Sequence, residues 1–230
     1  LEGKGTPSLD GIETKLQLQK GLFTSPILQA PSLRGAIIQR LRMKILITGG
    51  AGFIGCNAAA RYIQRGDEVV VLDNLSRRGT ETNLEWLKTV GEFEFIKGDI
   101  RDKKFINNFF SERKKINIVL HLAAQVAVTT SVVDPRTDFE INALGTFNVL
   151  EAIRENELDP IVLFSSTNKV YGNLEDIEVI EEDKKYSFKD NQPGVTEDQN
   201  LDFHSPYGCS KGAADQYVRD YSRIYGLRTV

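Results

Sequence analysis

The stretch Met43 to Gly55, Met-Lys-Ile-Leu-Ile-Thr-Gly-Gly-Ala-Gly-Phe-Ile-Gly, limits the possible folds of this chain more than any other, because it reads as a buried strand running into a glycine turn and then a helix. Ile45, Leu46 and Ile47 form the short apolar run expected of a parallel strand covered on both faces. Gly49, Gly52 and Gly55 follow at G-x-x-G-x-x-G spacing. Each glycine has a physical purpose: a tight turn off the strand, close approach of a pyrophosphate to bare backbone, and close seating of the helix on the sheet. The helix beginning at Phe53 and Ile54 presents free N–H groups and a positive dipole end to phosphate.

A glycine triplet also fits an ordinary βα turn, and the context narrows the choice. After the helix Phe53 to Arg65 comes Gly66, and Val69 to Leu72 then makes a second buried strand ending in Asp73, 18 residues beyond Gly55. A dinucleotide fold places there the carboxylate that accepts hydrogen bonds from the adenosine ribose. A carboxylate in that place repels a 2′-phosphate, so the expected cofactor is NAD and not NADP. Arg77 and Arg78 read as near-surface charges or as contacts to the adenine end.

With 230 residues, 40% of them hydrophobic, the chain can bury the core of one large α/β domain or two small ones. It contains no apolar run near the roughly 20 residues needed to span a bilayer, and no membrane association is expected. A net charge of −3 gives no reason to expect nucleic acid as a partner. Cys56 and Cys209 lack the spacing of a metal site, and none is expected; they read as reduced, buried thiols of a cytoplasmic protein. Residues 1–42 stand apart, with three prolines, no periodic pattern and a charge of +3 that leaves −6 for the remainder. The only methionine, Met43, precedes the first strand, so 1–42 reads as a translated upstream or artificial extension, with an organelle-targeting peptide as the rival reading.

From Met43 the pattern alternates strand and helix, the signature of a Rossmann-type, doubly wound parallel sheet with helices on both faces. The expected elements are a short helix Leu84 to Thr89, strand three at Phe93 to Ile96, a helix Asp102 to Lys115 with Phe105, Phe109 and Phe110 in the core, and strand four at Asn117 to His121. The small residues of Leu122-Ala123-Ala124 after strand four allow backbone and cofactor to approach. His121 reads as a satisfied core histidine. Asp134-Pro135 should start a helix running to about Asn156. Its apolar stripe is Phe139, Ala143, Phe147, Leu150 and Ile153, and Ile141, Leu144 and Val149 add surface for a sandwiched helix or a subunit interface. Strand five, Ile161 to Phe164, ends in the hydroxyls Ser165-Ser166-Thr167, which should face the ligand crevice. A long irregular insertion, 168–205, follows; its run Glu175 to Asp190 carries a net charge of −4 and reads as a solvated face. The segment Tyr207 to Tyr225 has helical spacing with Ala213, Ala214, Tyr217, Tyr221 and Ile224 inward, and Leu227 to Val230 reads as the first residues of strand six.

Thr167, Tyr207 and Lys211 form a coherent catalytic set at the nicotinamide end of such a crevice. Tyr207 and Lys211 share a helix face at i and i+4. A phenol, with a pKa of about 10, is a poor base at neutral pH, and a neighbouring ammonium favours its phenolate. Lys211 can also hydrogen-bond the nicotinamide ribose, while Thr167 can hold a substrate hydroxyl.

The words Thr48-Gly49-Gly50-Ala51-Gly52-Phe53-Ile54-Gly55, Asp73-Asn74-Leu75, Gly98-Asp99-Ile100 and Ser205-Pro206-Tyr207-Gly208-Cys209-Ser210-Lys211 resemble those of the extended short-chain dehydrogenase/reductase family, over Met43 to Val230. Ser165 to Gly172, Leu201 to Tyr207, Gln125-Val126-Ala127 and Asp138 to Asn142 are similar, more narrowly, to its branch of 2-epimerases acting on CDP-linked dideoxyhexoses. The resemblance implies an oligomeric, NAD-dependent nucleotide-sugar epimerase that passes through a keto intermediate. It implies Tyr207 as base, Lys211 as its partner and Thr167 in the slot of a serine or threonine. The cofactor contacts it implies add Asn74, Ser76, Arg77, Asp99, Ile100 and Gln125 to Gly49, Gly52, Phe53, Ile54, Gly55, Asp73, Leu122, Ala123, Ala124, Tyr207 and Lys211. The 4,6-dehydratases of the family need an Asp-Glu pair after the threonine, where this chain has Asn168-Lys169; UDP-sugar 4-epimerases and decarboxylases are the nearer rivals. Cys56 and Ala124 depart from the serine and glycine common in relatives. Most nucleotide and sugar contacts are implied to lie in a C-terminal part beyond Val230.

Overall fold

The computed structural model describes residues 42–190 and 193–230. Apart from Arg42, the expected extension at 1–42 lies outside the described residues. Strand β1 (Lys44–Thr48) leads into helix α1 (Phe53–Gln64), then β2 (Glu68–Asp73), α2 (Thr80–Val90), β3 (Glu94–Lys97), α3 (Lys103–Ser111) and β4 (Ile118–His121). After β4 come α4 (Val128–Val133) and a long helix α5, assembled from Pro135–Phe139, a π-helical turn Glu140–Leu144 and Gly145–Glu155. Strand β5 (Ile161–Phe164) is followed by a 3₁₀ turn (Asn168–Tyr171), a hairpin of β6 (Val179–Glu181) and β7 (Tyr186–Phe188), helix α6 (Ser205–Tyr225) and β8 (Arg228–Thr229).

Among the described residues, six strands form one sheet in the order β3-β2-β1-β4-β5-β8, all pairs parallel. The order reverses beside β1, where a crevice opens at the carboxyl ends of β1 and β4. The strands alternate between two covered faces. Leu46, Val70, Leu72, Val119 and Val162 pack on one side with Phe109, Phe110, Leu150, Ile153 and Val218; Ile45, Ile47, Val69 and Val71 pack on the other with Ala59, Ala60, Leu84 and Leu87.

Two helix starts follow from their capping acids. Asp102 accepts from the Phe105 N–H at 3.0 Å at the start of α3, and Asp134 accepts from Thr137 N–H at 3.0 Å with Pro135 in the first turn of α5.

Several expectations are corrected. Helix α2 begins at Thr80, upstream of Leu84, and α3 stops at Ser111, short of Lys115. The inserted π turn rotates α5, so Phe139 is 55% exposed while Asn142 and Val149 are buried. On α6 the buried line is Tyr207, Lys211, Ala214, Val218 and Tyr221; Tyr217 and Ile224 face outward. Its inward face carries polar side chains, which an apolar periodicity overlooks. Val128–Val133, to which the sequence reading gave no element, is helical, and the insertion holds a hairpin where irregular chain was expected. Cys56 is buried as expected, but Cys209 is exposed on α6. His121 is 2% exposed and hydrogen-bonded on both ring nitrogens, to Thr48 and Thr146. Among the described residues no helix is long and apolar enough to cross a membrane.

Candidate active site

The glycine turn is held from both sides. Gly49 N–H donates to Leu72 O at 2.8 Å, and Gly49 itself sits at φ +68°, where a Cβ would meet Ala123 N at 2.7 Å. A Cβ on Gly55 would lie 2.3 Å from the Gly49 carbonyl oxygen, so only glycine lets α1 sit this close to the turn. Helix α1 has no side-chain cap at its N-terminus and no acid in its first turn, which leaves its first N–H groups for an anion. Phe53 and Ile54 stand exposed beside that opening.

Asp73 closes the same end. Its two carboxylate oxygens accept from Ala51 N–H at 3.1 Å and Leu75 N–H at 2.8 Å, which fixes the carboxylate at the end of β2. From α2, Asn83 donates to Ala51 O at 2.8 Å and braces the turn. Further along, Asp99 takes a fork from Arg101, with the terminal nitrogen at 2.7 Å, and a hydrogen bond from Asn74 at 2.9 Å. Arg101 above all holds the Asp99 carboxyl down at about 2, so it is ionised at neutral pH.

These groups line one cleft of about 390 Å³ at the carboxyl edge of the sheet. Of the residues singled out from sequence, Gly49, Gly52, Phe53, Ile54, Gly55, Asp73, Asn74, Ser76, Arg77, Asp99, Ile100, Leu122, Ala123, Ala124, Tyr207 and Lys211 line it. Gln125 and Thr167 do not. Gln125 turns its side chain away, donating to Asp138 at 2.8 Å and to Ala127 O at 2.9 Å. Thr167 caps the 3₁₀ turn, its hydroxyl accepting from Lys169 N–H at 3.3 Å, while Ser165 and Ser166 line the cleft beside it. The lining also takes in Thr80, Val126 and Ile141. Thr80 is signalled only by a helix that starts earlier than its apolar pattern, and Ile141 only by the π turn.

Tyr207 and Lys211 enter from α6. Lys211 Nζ donates to Ser165 O at 2.6 Å and lies 4.1 Å from the centre of the Phe164 ring; burial lowers its pKa to about 8. Ser205, the first residue of α6 at φ +76°, accepts at its hydroxyl from Gly208 N–H at 3.2 Å. The Tyr207 N–H donates to the fully buried Ser131 hydroxyl of α4 at 3.1 Å. Ser210 donates to Asp138 of α5, so the helix bearing Tyr207 and Lys211 is anchored to two other helices. Ser131 carries no motif and Asp138 stands only in a stretch of family resemblance; the sequence alone assigned neither a part in the site.

The arrangement brings an uncapped helix start behind a glycine turn, a carboxylate fixed at the end of β2, and a phenol and an ammonium into one cleft lining. A family model described as GDP-mannose 4,6 dehydratase matches residues 46–230. CDP-paratose 2-epimerase of Salmonella typhi is 50% identical over 188 residues, 82% of this chain and 55% of that protein. Among solved structures, the UDP-glucose 4-epimerase of Thermus thermophilus in complex with NAD is 36% identical with a TM-score of 0.65, over 81% of this chain and 53% of that one. The dTDP-glucose 4,6-dehydratase DesIV of Streptomyces venezuelae, with NAD and TYD bound, is 31% identical with a TM-score of 0.66, over 81% and 54%. The chain thus spans about half the length of the curated relatives it matches.

Proposed function

The chain belongs to the GDP-mannose 4,6-dehydratase family, within the extended short-chain dehydrogenases/reductases, and on that footing we propose that the whole protein is an NAD-dependent epimerase acting at C2 of a CDP-linked dideoxyhexose, converting CDP-paratose to CDP-tyvelose. The observation that carries the catalytic part is that Tyr207 and Lys211 line the same cleft as the glycine turn and Asp73. The uncapped start of α1 suits a pyrophosphate, and Asp73, with one lone pair per oxygen already engaged, suits the adenosine ribose diol. Asn74, Ser76, Arg77, Asp99 and Ile100 then flank the adenine, and Ala123 and Ala124 leave room for the nicotinamide half. NAD, when bound, supplies a reversible two-electron acceptor for the carbon being inverted.

The chain's own residues move the proton. Tyr207 takes it from the sugar hydroxyl and returns it, with Lys211 lining the same cleft. Thr167 holds that hydroxyl, for which its side chain, outside the cleft lining, must turn toward the substrate; accepting from Lys169 N–H leaves its proton free to donate. Asn168 and Lys169 stand where a dehydratase carries its acid pair, so no group is in place to eliminate water, and the ketone is re-reduced on its other face. The 50% identity to a CDP-paratose 2-epimerase supports the substrate. The exposed Phe139, Tyr217, Ile224 and Tyr225 of α5 and α6 support an oligomer built on those helices.

The test is turnover of CDP-paratose in D₂O by a form of the protein extended to its relatives' length. The product is expected to carry no solvent deuterium at C2. Deuterium at that carbon would mean deprotonation and reprotonation there and would overturn the mechanism. Activity confined to C4 of UDP sugars would keep the mechanism and discard the substrate.

A further inference from the structure

Beneath the cleft floor runs a line of buried polar side chains that the proposed chemistry does not use: Thr48, His121, Thr146 and Asn142, each at most 2% exposed. One hydrogen bond sets the direction of the rest. The Thr146 hydroxyl donates to the Asn142 carbonyl oxygen at 2.6 Å, so its oxygen is left to accept, and His121 Nε2, 3.0 Å away, is the donor. In a neutral imidazole Nδ1 is then an acceptor, and it takes the Thr48 hydroxyl at 2.7 Å. Thr48 Oγ1 in turn accepts from Ala123 N–H at 3.3 Å. The ring is fully buried, and burial, with the nearby charge of Lys211, keeps it neutral. Phe164 stacks on it at 5.9 Å.

The line meets Asn142 at its main-chain carbonyl, and the side chain of the same residue, which also donates to Asp138 at 3.1 Å and to Ser210 at 3.0 Å, clasps the backbone of Gln125. Its Oδ1 accepts from Gln125 N–H at 2.8 Å, and its Nδ2 donates to Gln125 O at 3.1 Å. The short segment Leu122 to Gln125, which supplies the cleft floor, is therefore hung at Ala123 from one end of the line and at Gln125 from the other. Little slack exists beneath it, since a Cβ on Gly49 would already strike Ala123 N.

We propose that His121 is a positioning residue: locked as the neutral Nε2–H tautomer between Thr48 and Thr146, it couples the two anchors of the Leu122–Gln125 floor and so sets that floor against the glycine turn. Its functional consequence rests on the reading of the cleft as an NAD site, but its structural content does not. Satisfied hydrogen bonds in series specify one arrangement, and removing a hydroxyl frees Ala123 directly and loosens Gln125 through the turn of α5 that carries Thr146 and Asn142.

The test uses the 230-residue chain. ¹⁵N NMR of the histidines is expected to show His121 neutral with the proton on Nε2; a proton on Nδ1, or a charged ring, at neutral pH overturns the proposal. Thr48→Val is expected to speed amide exchange at both Ala123 and Gln125 by about tenfold, and Thr48→Ser to restore both. Faster exchange at Ala123 with Gln125 unchanged overturns it. Thr146→Val reads the line from the other side and must speed Ala123; if it does not, the proposal fails even where Thr48→Val does not fold. NAD affinity, measured by calorimetry, is expected to fall about tenfold in Thr48→Val and recover in Thr48→Ser. A wild-type chain that binds no NAD overturns the cofactor reading, while tautomer and exchange still decide the positioning role.

Discussion

The Lys211 ammonium lies 4.1 Å from the centroid of the Phe164 ring. Through its face the ring supplies some of the stabilisation that water would otherwise give the charge, and the Ser165 carbonyl supplies more. Replacing the ring by an aliphatic group, Phe164→Leu, is expected to push the Lys211 pKa below its present value of about 8. A cation–π contact of ~1 kcal/mol corresponds to a shift of roughly 0.7 units. Titration of the lysine Cε resonance measures it, and a pKa that stays in place or rises would show that the ring does not stabilise the charge.

Tyr207→Phe in a form of full family length is expected to cut turnover by at least ~100-fold while NAD binding changes little, because the phenol moves a proton and need not hold the cofactor. Steady-state rates and calorimetry on the same preparation separate the two effects. A variant retaining more than about a tenth of wild-type rate would exclude Tyr207 as the base.

Asp73 cannot swing away from an incoming 2′-phosphate, since Ala51 and Leu75 N–H groups hold both of its oxygens. NAD is therefore expected to bind at least about tenfold more tightly than NADP, a difference of ~1.4 kcal/mol. Asp73→Ala should narrow that ratio. Equal affinities in the wild-type chain, measured by titration calorimetry, would remove Asp73 as the discriminating group.

Acid should weaken the fold through His121. Burial, assisted by Lys211, lowers its pKa from 6.5 to about 3, so between those values the unfolded chain binds a proton that the folded chain does not. Stability then falls as pH drops through that window, by at most ~1.4 kcal/mol per unit. Asp99, held at about 2, adds its own loss only as pH falls below its ordinary 3.8. Lys211 acts at the alkaline end: with its pKa lowered from 10.5 to about 8, its contribution to stability rises with pH between those values. Urea midpoints for the wild type and His121→Gln at pH 6.5, 5.5 and 4.5 report the slopes, and equal slopes would contradict a neutral buried ring.

The strands and the cofactor end were legible because one physical rule governs each of them: doubly covered strands are apolar throughout, and a phosphate turn requires glycine. Helices obeyed their pattern only where a single period ran through them. In α5 the π turn breaks the period, so Phe139, inward on a 3.6-residue wheel, faces outward. In α6 the inward face carries Lys211 and Ser210, and a reading weighted toward apolar residues turned the helix toward Tyr217 and Ile224 instead. Thr167 could be named from its neighbours, but its hydroxyl's engagement with Lys169 N–H depends on the 3₁₀ turn that follows. Ser131 reaches Tyr207 across 76 residues of sequence, a contact that local spacing cannot reveal.

The insertion after β5 enters and leaves at nearly the same point: Asp202 N–H donates to Val170 O at 2.9 Å, and Gly172 sits so close to Asp202 that a Cβ would lie 2.5 Å from its carbonyl oxygen. What lies between these two residues works as a cassette on a closed stem. Because the stem is joined, lengthening or shortening the hairpin changes closure entropy only slowly, by ~0.6 kcal/mol per doubling, and need not shift Ser205 or the helix behind it. Changes in the length of the cassette can then accumulate while Tyr207 and Lys211 stay where they are.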